Sequence, residues 1–153
     1  MQTRRGFLKS SGGLVAALLA AGFLEPGDLR AEEWNKAAFE TKKMEDLVKL
    51  LGGTGPAESA EVAIVAPDIA ENGAVVPIGI TSKLDKTRAI AILVEKNPNV
   101  LAAMFSIPDG TLPDLQTRVK MAQTCNVFAL VRAGGKFVYA AKEIKITLGG
   151  CGG

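Results

Sequence analysis

Histidine is absent from all 153 residues. Without an imidazole the chain cannot assemble Ser-His-Asp or Cys-His nucleophilic arrangements or any His-containing metal site. Its two cysteines, Cys125 and Cys151, are too few for a four-ligand zinc site. Aromatic residues are scarce as well, with one Trp, one Tyr and six Phe. A surface for nucleic acid needs basic residues interleaved with stacking platforms, and no such stretch exists, so no nucleic-acid partner is expected. The formal charge of +2 comes entirely from the first 31 residues. Taking Arg4, Arg5, Lys9 and Arg30 from 18 basic residues leaves 14, and taking Glu25 and Asp28 from 16 acidic ones also leaves 14. Long apolar runs are missing too: Leu14 to Ala21 falls well short of the ~20 residues a spanning helix requires, so no membrane anchor is expected.

The residues that are present begin with an address. Thr3-Arg4-Arg5-Gly6-Phe7-Leu8-Lys9 ahead of a short, weakly apolar run has the order of a secretory signal, and the paired arginines specify the twin-arginine route. The expectation is a signal peptide over 1–31, cleaved after Ala31, and export of an already folded domain to the periplasm. The remainder, 32–148, holds one domain's worth of sequence, and the chain's 48% hydrophobic content supplies enough apolar material for a core.

From Glu32 to Leu51, Trp34, Ala38, Thr41, Met44, Leu47, Val48 and Leu51 recur at helical spacing, and Gly52-Gly53 stops the pattern. The stripe reads as packing rather than as a site. Beyond Pro56 the period changes to β. Strands are predicted over 61–66, 74–81, 88–95, 100–107, 118–121, 127–131, 136–140 and 143–148, with turns at Asn72-Gly73, Asn97-Pro98-Asn99, Pro108-Asp109-Gly110 and Gly134-Gly135. With no helices between them, these short strands predict an all-β fold, an immunoglobulin-like antiparallel β-sandwich with an N-terminal helix.

The two cysteines read differently. Cys125 faces the core if a strand runs unbroken from Arg118, and lies in a hairpin loop if the chain turns at Asn126; either position is structural, although a disulfide to Cys151 is open to it in an oxidising compartment. Cys151 stands among Gly149, Gly150, Gly152 and Gly153. Four glycines cost the most entropy to fix, so 149–153 reads as a flexible arm, thin enough to enter a narrow channel and able to carry the sulfur roughly 10 Å from Leu148. Three readings of Cys151 compete: an incidental tail thiol, a ubiquitin-like Gly-Gly end of the kind made into a thiocarboxylate in the cytoplasm, and a thiol that carries a covalent adduct between enzymes. The export signal weighs against the second, and an exposed thiol in an oxidising compartment weighs against the first. A different class of function stays open beside carriage, an exported sandwich that serves as a binding or assembly module through an intermolecular disulfide of its tail. An ordinary thiol pKa near 8.5 and the absence of a neighbouring base mean that activation has to come from whatever docks.

These stretches together resemble one family. The twin-arginine signal, Ala66-Pro67-Asp68-Ile69-Ala70-Glu71-Asn72-Gly73, Val76-Pro77, Lys96-Asn97-Pro98-Asn99, Thr117-Arg118-Val119, Lys145-Ile146-Thr147 and the terminal Gly149-Gly150-Cys151-Gly152-Gly153 are similar to the SoxY family of the periplasmic thiosulfate-oxidation system. Cys125 is a departure from the family pattern. The resemblance implies a non-enzymatic sulfur carrier with no cofactor of its own, paired with SoxZ as a heterodimer, SoxYZ. It implies that Cys151 takes up thiosulfate through the haem protein SoxAX and gives up sulfate through SoxB. The persulfide left behind would pass to the sulfur dehydrogenase SoxCD or to another acceptor.

Overall fold

The computed structural model describes residues 35–148. The predicted signal over 1–31 and the predicted arm over 149–153 lie outside the described residues.

Among the described residues two short helices come first, α1 (Lys36–Phe39) and α2 (Met44–Leu50). The single helix expected over 32–51 is thus present in two pieces, and the break has a tertiary cause. Thr41 turns its hydroxyl back onto the Ala38 carbonyl at 2.7 Å, its own carbonyl accepts from the Val100 N–H, and Lys42 donates to the Pro98 carbonyl and to Asn99 Oδ1. Binding to the 98–100 turn interrupts the helix after Glu40; Lys43 has φ −139° and ψ 149°. The apolar stripe survives the break, with Ala38, Leu47 and Val48 fully buried. At the far end the expected stop is a Schellman motif. Gly52 sits at φ 79° and donates to the Lys49 carbonyl, while Gly53 donates to the Val48 carbonyl at 2.9 Å. Gly53 is also required by space, because a Cβ there would lie 2.3 Å from the Phe137 ring.

Nine strands follow: β1 (Ala57–Glu58), β2 (Val62–Val65), β3 (Ile69–Ala70), β4 (Val76–Ser82), β5 (Thr87–Val94), β6 (Leu101–Ser106), β7 (Asp114–Val119), β8 (Cys125–Ala133) and β9 (Lys136–Ile146). They form the expected all-β sandwich. One sheet runs β1-β9-β8-β5-β6, with β3 added on β9, and the other runs β2-β4-β7. All the long pairings are antiparallel; β1 and β3 each join β9 in parallel through two residues. Three details differ from the sequence reading. The strands expected over 136–140 and 143–148 are one continuous β9, because β8 pairs with it from Cys125↔Ile144 to Ala133↔Lys136 and carries it through the small residues between. The strand expected over 118–121 starts earlier, at Asp114, held by β4. The loop between β2 and β4 contains β3.

Alternation explains where the core sits. In β5, Ile90, Ile92 and Val94 face the second sheet while Ala91 and Leu93 face the helices; in β8, Val127, Ala129 and Val131 face inward and Leu130 faces the helices. A strand covered on both faces loses its polar alternation and becomes a continuous apolar run, as Ala89 to Val94 is. β4, with solvent on one side, keeps a regular alternation of buried and less buried residues. The β8–β9 connection is a two-residue turn in which Gly134 and Gly135 both have positive φ, 55° and 80°.

Ile92 is completely buried between the sheets. Ile92→Ala is expected to lower unfolding stability by about 3 kcal/mol, read from the denaturant midpoint. Val65→Ala, at a position 69% exposed, is expected to change it by less than ~0.5 kcal/mol.

Candidate functional site

The chemistry anticipated in the sequence belongs to Cys151 with Gly149, Gly150, Gly152 and Gly153, all outside the described residues. The structure describes the root from which that segment departs. Long terminal strands ordinarily fray over their last turns of hydrogen bonding. Here β9 is gripped from both sides to its end. On the β8 side, the Ile146 N–H donates to Thr124 Oγ1 at 2.9 Å. On the other side runs a strap formed by residues 66–75. The Lys145 N–H donates to the Asp68 carbonyl at 2.9 Å, and β3 aligns Ile69 with Lys145 and Ala70 with Ile146. The Thr147 N–H then donates to the Ala70 carbonyl at 3.2 Å and its hydroxyl to the Glu71 carbonyl at 3.1 Å. Finally the Gly73 N–H donates to the Leu148 carbonyl at 2.9 Å.

The strap is itself secured. Lys142 reaches from β9 to the Ala66 carbonyl and to Asp68 Oδ1, the latter at 3.0 Å. Asp68 is 89% exposed, so the ion pair contributes little and the carbonyl bond is the firmer part. Asn72 Oδ1 accepts from the Ala74 N–H at 2.8 Å, an Asx turn, and the Gly73 carbonyl accepts from the Met121 N–H at 2.7 Å. With each bond worth about 1 kcal/mol net, the set fixes the backbone through Leu148, three positions short of Cys151.

Sequence reading found the Asn72-Gly73 turn but not the strap. Its only β signal is the pair Ile69-Ala70, too short for a period to show, and its partner lies 76 positions along the chain. That Ala66-to-Gly73 and Lys145-to-Thr147 are bonded neighbours is learned from the structure alone.

Cys125 faces the core, as one of its two readings had it, but not on a strand unbroken from Arg118. The chain leaves β7 at Val119 and enters a new strand at Cys125, which opens β8 opposite Ile144. Its thiol has no disulfide partner among the described residues and is buried in the sandwich core with Met121, Val127 and Ile144. Burial pushes its pKa up, an effect to which nearby Glu95 adds and which backbone hydrogen bonding around Lys96 and the Lys96 charge oppose. Desolvation disfavours the thiolate, so Cys125 behaves as a small hydrophobe rather than a nucleophile. Among the described residues no three His, Cys, Asp or Glu side chains gather as a metal site would need, and no helix is long and apolar enough to cross a membrane.

Comparison with known proteins bears on this geometry directly. The family described as "Sulfur oxidation protein SoxY" matches residues 47–151, a range that contains the sandwich strands, the strap and Cys151. The chain belongs to the SoxY family. In line with this, it is similar to the solved sulfur carrier protein SoxY from Chlorobium limicola f thiosulfatophilum, at 34% identity and a TM-score of 0.62, over 69% of this chain and 97% of that one. Superoxide reductase (neelaredoxin) from Ignicoccus hospitalis is also similar, at 16% identity and a TM-score of 0.49 over 74% of this chain and 99% of that one, too distant to carry an argument. No curated protein matches the chain. SoxY membership places the chain in sulfur oxidation, as a carrier within a system of partner proteins.

A thiol-reactive maleimide is expected to spare Cys125 in the native protein and to label it once guanidinium unfolds the chain, as peptide mass mapping would show. The sign of the pH effect follows from the raised pKa. The folded chain keeps the Cys125 proton to higher pH than the unfolded chain does, so stability is expected to fall as pH rises past the ordinary thiol range. Cys125→Ala should remove that slope, checked by denaturant midpoints at successive pH values.

Proposed function

We propose that the chain is a covalent carrier that holds thiosulfate-derived sulfur on Cys151 and presents it to the other enzymes of a periplasmic oxidation system. The observation that carries this reading is the strap. It fixes the backbone through Leu148, immediately before Gly149-Gly150-Cys151-Gly152-Gly153, in a chain whose family match extends through residue 151. A rigid root followed by four glycines around one thiol is the arrangement a presented sulfur requires.

The chemistry follows from the thiol. In loading, the Cys151 Sγ and the sulfane sulfur of thiosulfate form an S–S bond; one proton leaves the thiol and two electrons pass to the haem protein SoxAX, giving Cys–S–S–SO3⁻. Water then cleaves the bond to the oxidised sulfur in the SoxB site, releasing sulfate and two protons and leaving the Cys151 persulfide. SoxCD or another acceptor takes the persulfide sulfur. The chain contributes no acid, base or metal to these steps, and its own share is position and access. The twin-arginine address delivers a folded domain, which suits a carrier that leaves the cytoplasm paired with SoxZ.

Incubating the complex with thiosulfate and the loading enzyme is expected to add the mass of one thiosulfate residue to the wild-type chain and nothing to Cys151→Ala. An equal adduct on Cys151→Ala overturns the carrier reading. A reducible dimer that keeps its function after removal of 149–153 would instead make the chain an assembly module. Replacing Gly149 and Gly150 with proline, which fixes φ near −65°, is expected to leave the unfolding midpoint unchanged and to slow turnover through the full system by at least tenfold, roughly the effect of a 1.4 kcal/mol higher barrier.

A further inference from the structure

Six large apolar side chains are exposed among the described residues: Leu50, Val65, Ile69, Val75, Leu112 and Leu148. Single exposed apolar residues are ordinary on any surface. Their distribution here is not even. Ile69 at 58% exposure adjoins Ala70, whose carbonyl holds the Thr147 N–H; Val75 at 53% lies two residues beyond Gly73, whose N–H holds the Leu148 carbonyl; and Leu148 itself is 69% exposed. Half of the exposed large hydrophobics therefore stand on the strap or on the residue that it clamps.

Chain length determines what must cover them. Cys151 is three residues past Leu148, so its α-carbon can lie no more than about 11 Å from that of Leu148. Any protein that reacts with the Cys151 sulfur has to bring its active-site mouth within that radius, and the surface around the mouth then rests on the strap. We infer that Ile69, Val75 and Leu148 form an apolar collar on which the enzymes that process the Cys151 adduct seat the rims of their active-site channels. The inference rests on the carrier reading and names the docking face of that same site. Its apolar character fits the task. The group on Cys151 changes from a neutral thiol to a sulfonate-ended anion and then to a persulfide, and contacts made by uncharged side chains are the same at each stage. A docking face built on three side chains is also small, in the range of transient encounters that release their partner.

The test is the pair Ile69→Asp and Val75→Asp in the full chain with its partner subunit. With purified loading enzyme and thiosulfate, kcat/KM for adduct formation, read by mass spectrometry, is expected to drop roughly tenfold, mainly through KM. The rate at which the Cys151 thiol reacts with a small aromatic disulfide should not change, and Leu112→Asp, at a position 82% exposed and beside Pro113 at the Ser82 end of β4, opposite the end that follows the strap, should load like wild type. Leu148→Ser serves as the milder second variant and should lower kcat/KM in the same direction. Wild-type loading kinetics in the double variant, or an equal loss toward the small disulfide, overturns the collar and leaves the carrier reading standing. A wild-type chain that takes no adduct overturns both.

Discussion

The hydrogen bonds between the strap and the end of β9 are the constraint on which the rest of this molecule depends. They occupy the amides of Lys145 and Thr147 and the carbonyl of Leu148, while Thr124 takes the amide of Ile146. A strand left open on one side at its end would peel away from the sheet. This one is closed on both sides, and its closure is continuous with the core. β9 lies along β8 for nine aligned pairs, β8 lies along β5, and both are buried on two faces by helices and by the second sheet. Rigidity is thereby transmitted from the centre of the sandwich to the last described residue.

Most of the sandwich was legible in the sequence because β-branched residues and turn residues mark it locally. The runs around Ile64, Ile78, Ile90 and Val127 fell on strands, and Gly52 and Gly134-Gly135 fell where a left-handed backbone was needed. What escaped was set by contacts between distant parts of the chain. No local rule tells that Thr41 and Lys42 will leave a helix for the 98–100 turn, or that Ile69 and Ala70 will pair in parallel with Lys145 and Ile146. Nor does the sequence show that β9 is unbroken. The stretch Ala140-Ala141-Lys142 has little strand propensity of its own, and pairing with β8 carries the strand through it. At the candidate site the proposed carrier thiol and its glycines were visible in the sequence alone, whereas the strap ahead of them was not.

The two thiols illustrate how location divides one chemistry. Cys125 is buried in the sandwich core in the same cluster as Met121 and Ile144, and burial favours keeping the proton on its sulfur. A second accessible nucleophile would compete for any adduct and invite a disulfide within the chain. Burying Cys125 and raising its pKa lessens that competition without removing the residue. A carrier has to expose one sulfur only, and the alternation of β8 puts Cys125 on the inward side together with Val127, Ala129 and Val131.

In the carrier reading, rigidity at the root and freedom beyond it are two halves of one requirement. Effective concentration of a tethered group falls roughly as the −3/2 power of tether length once the tether can span the sites. The tether from Leu148 to Cys151 is three residues. If the strap let go and β9 frayed back to Lys142, the tether would become nine residues, and the threefold increase in length would dilute the sulfur at a docked active site about fivefold. The strap therefore sets a quantity that no residue of the glycine segment can set for itself. It makes the tether short, and a short tether compensates for a thiol whose own reactivity is ordinary.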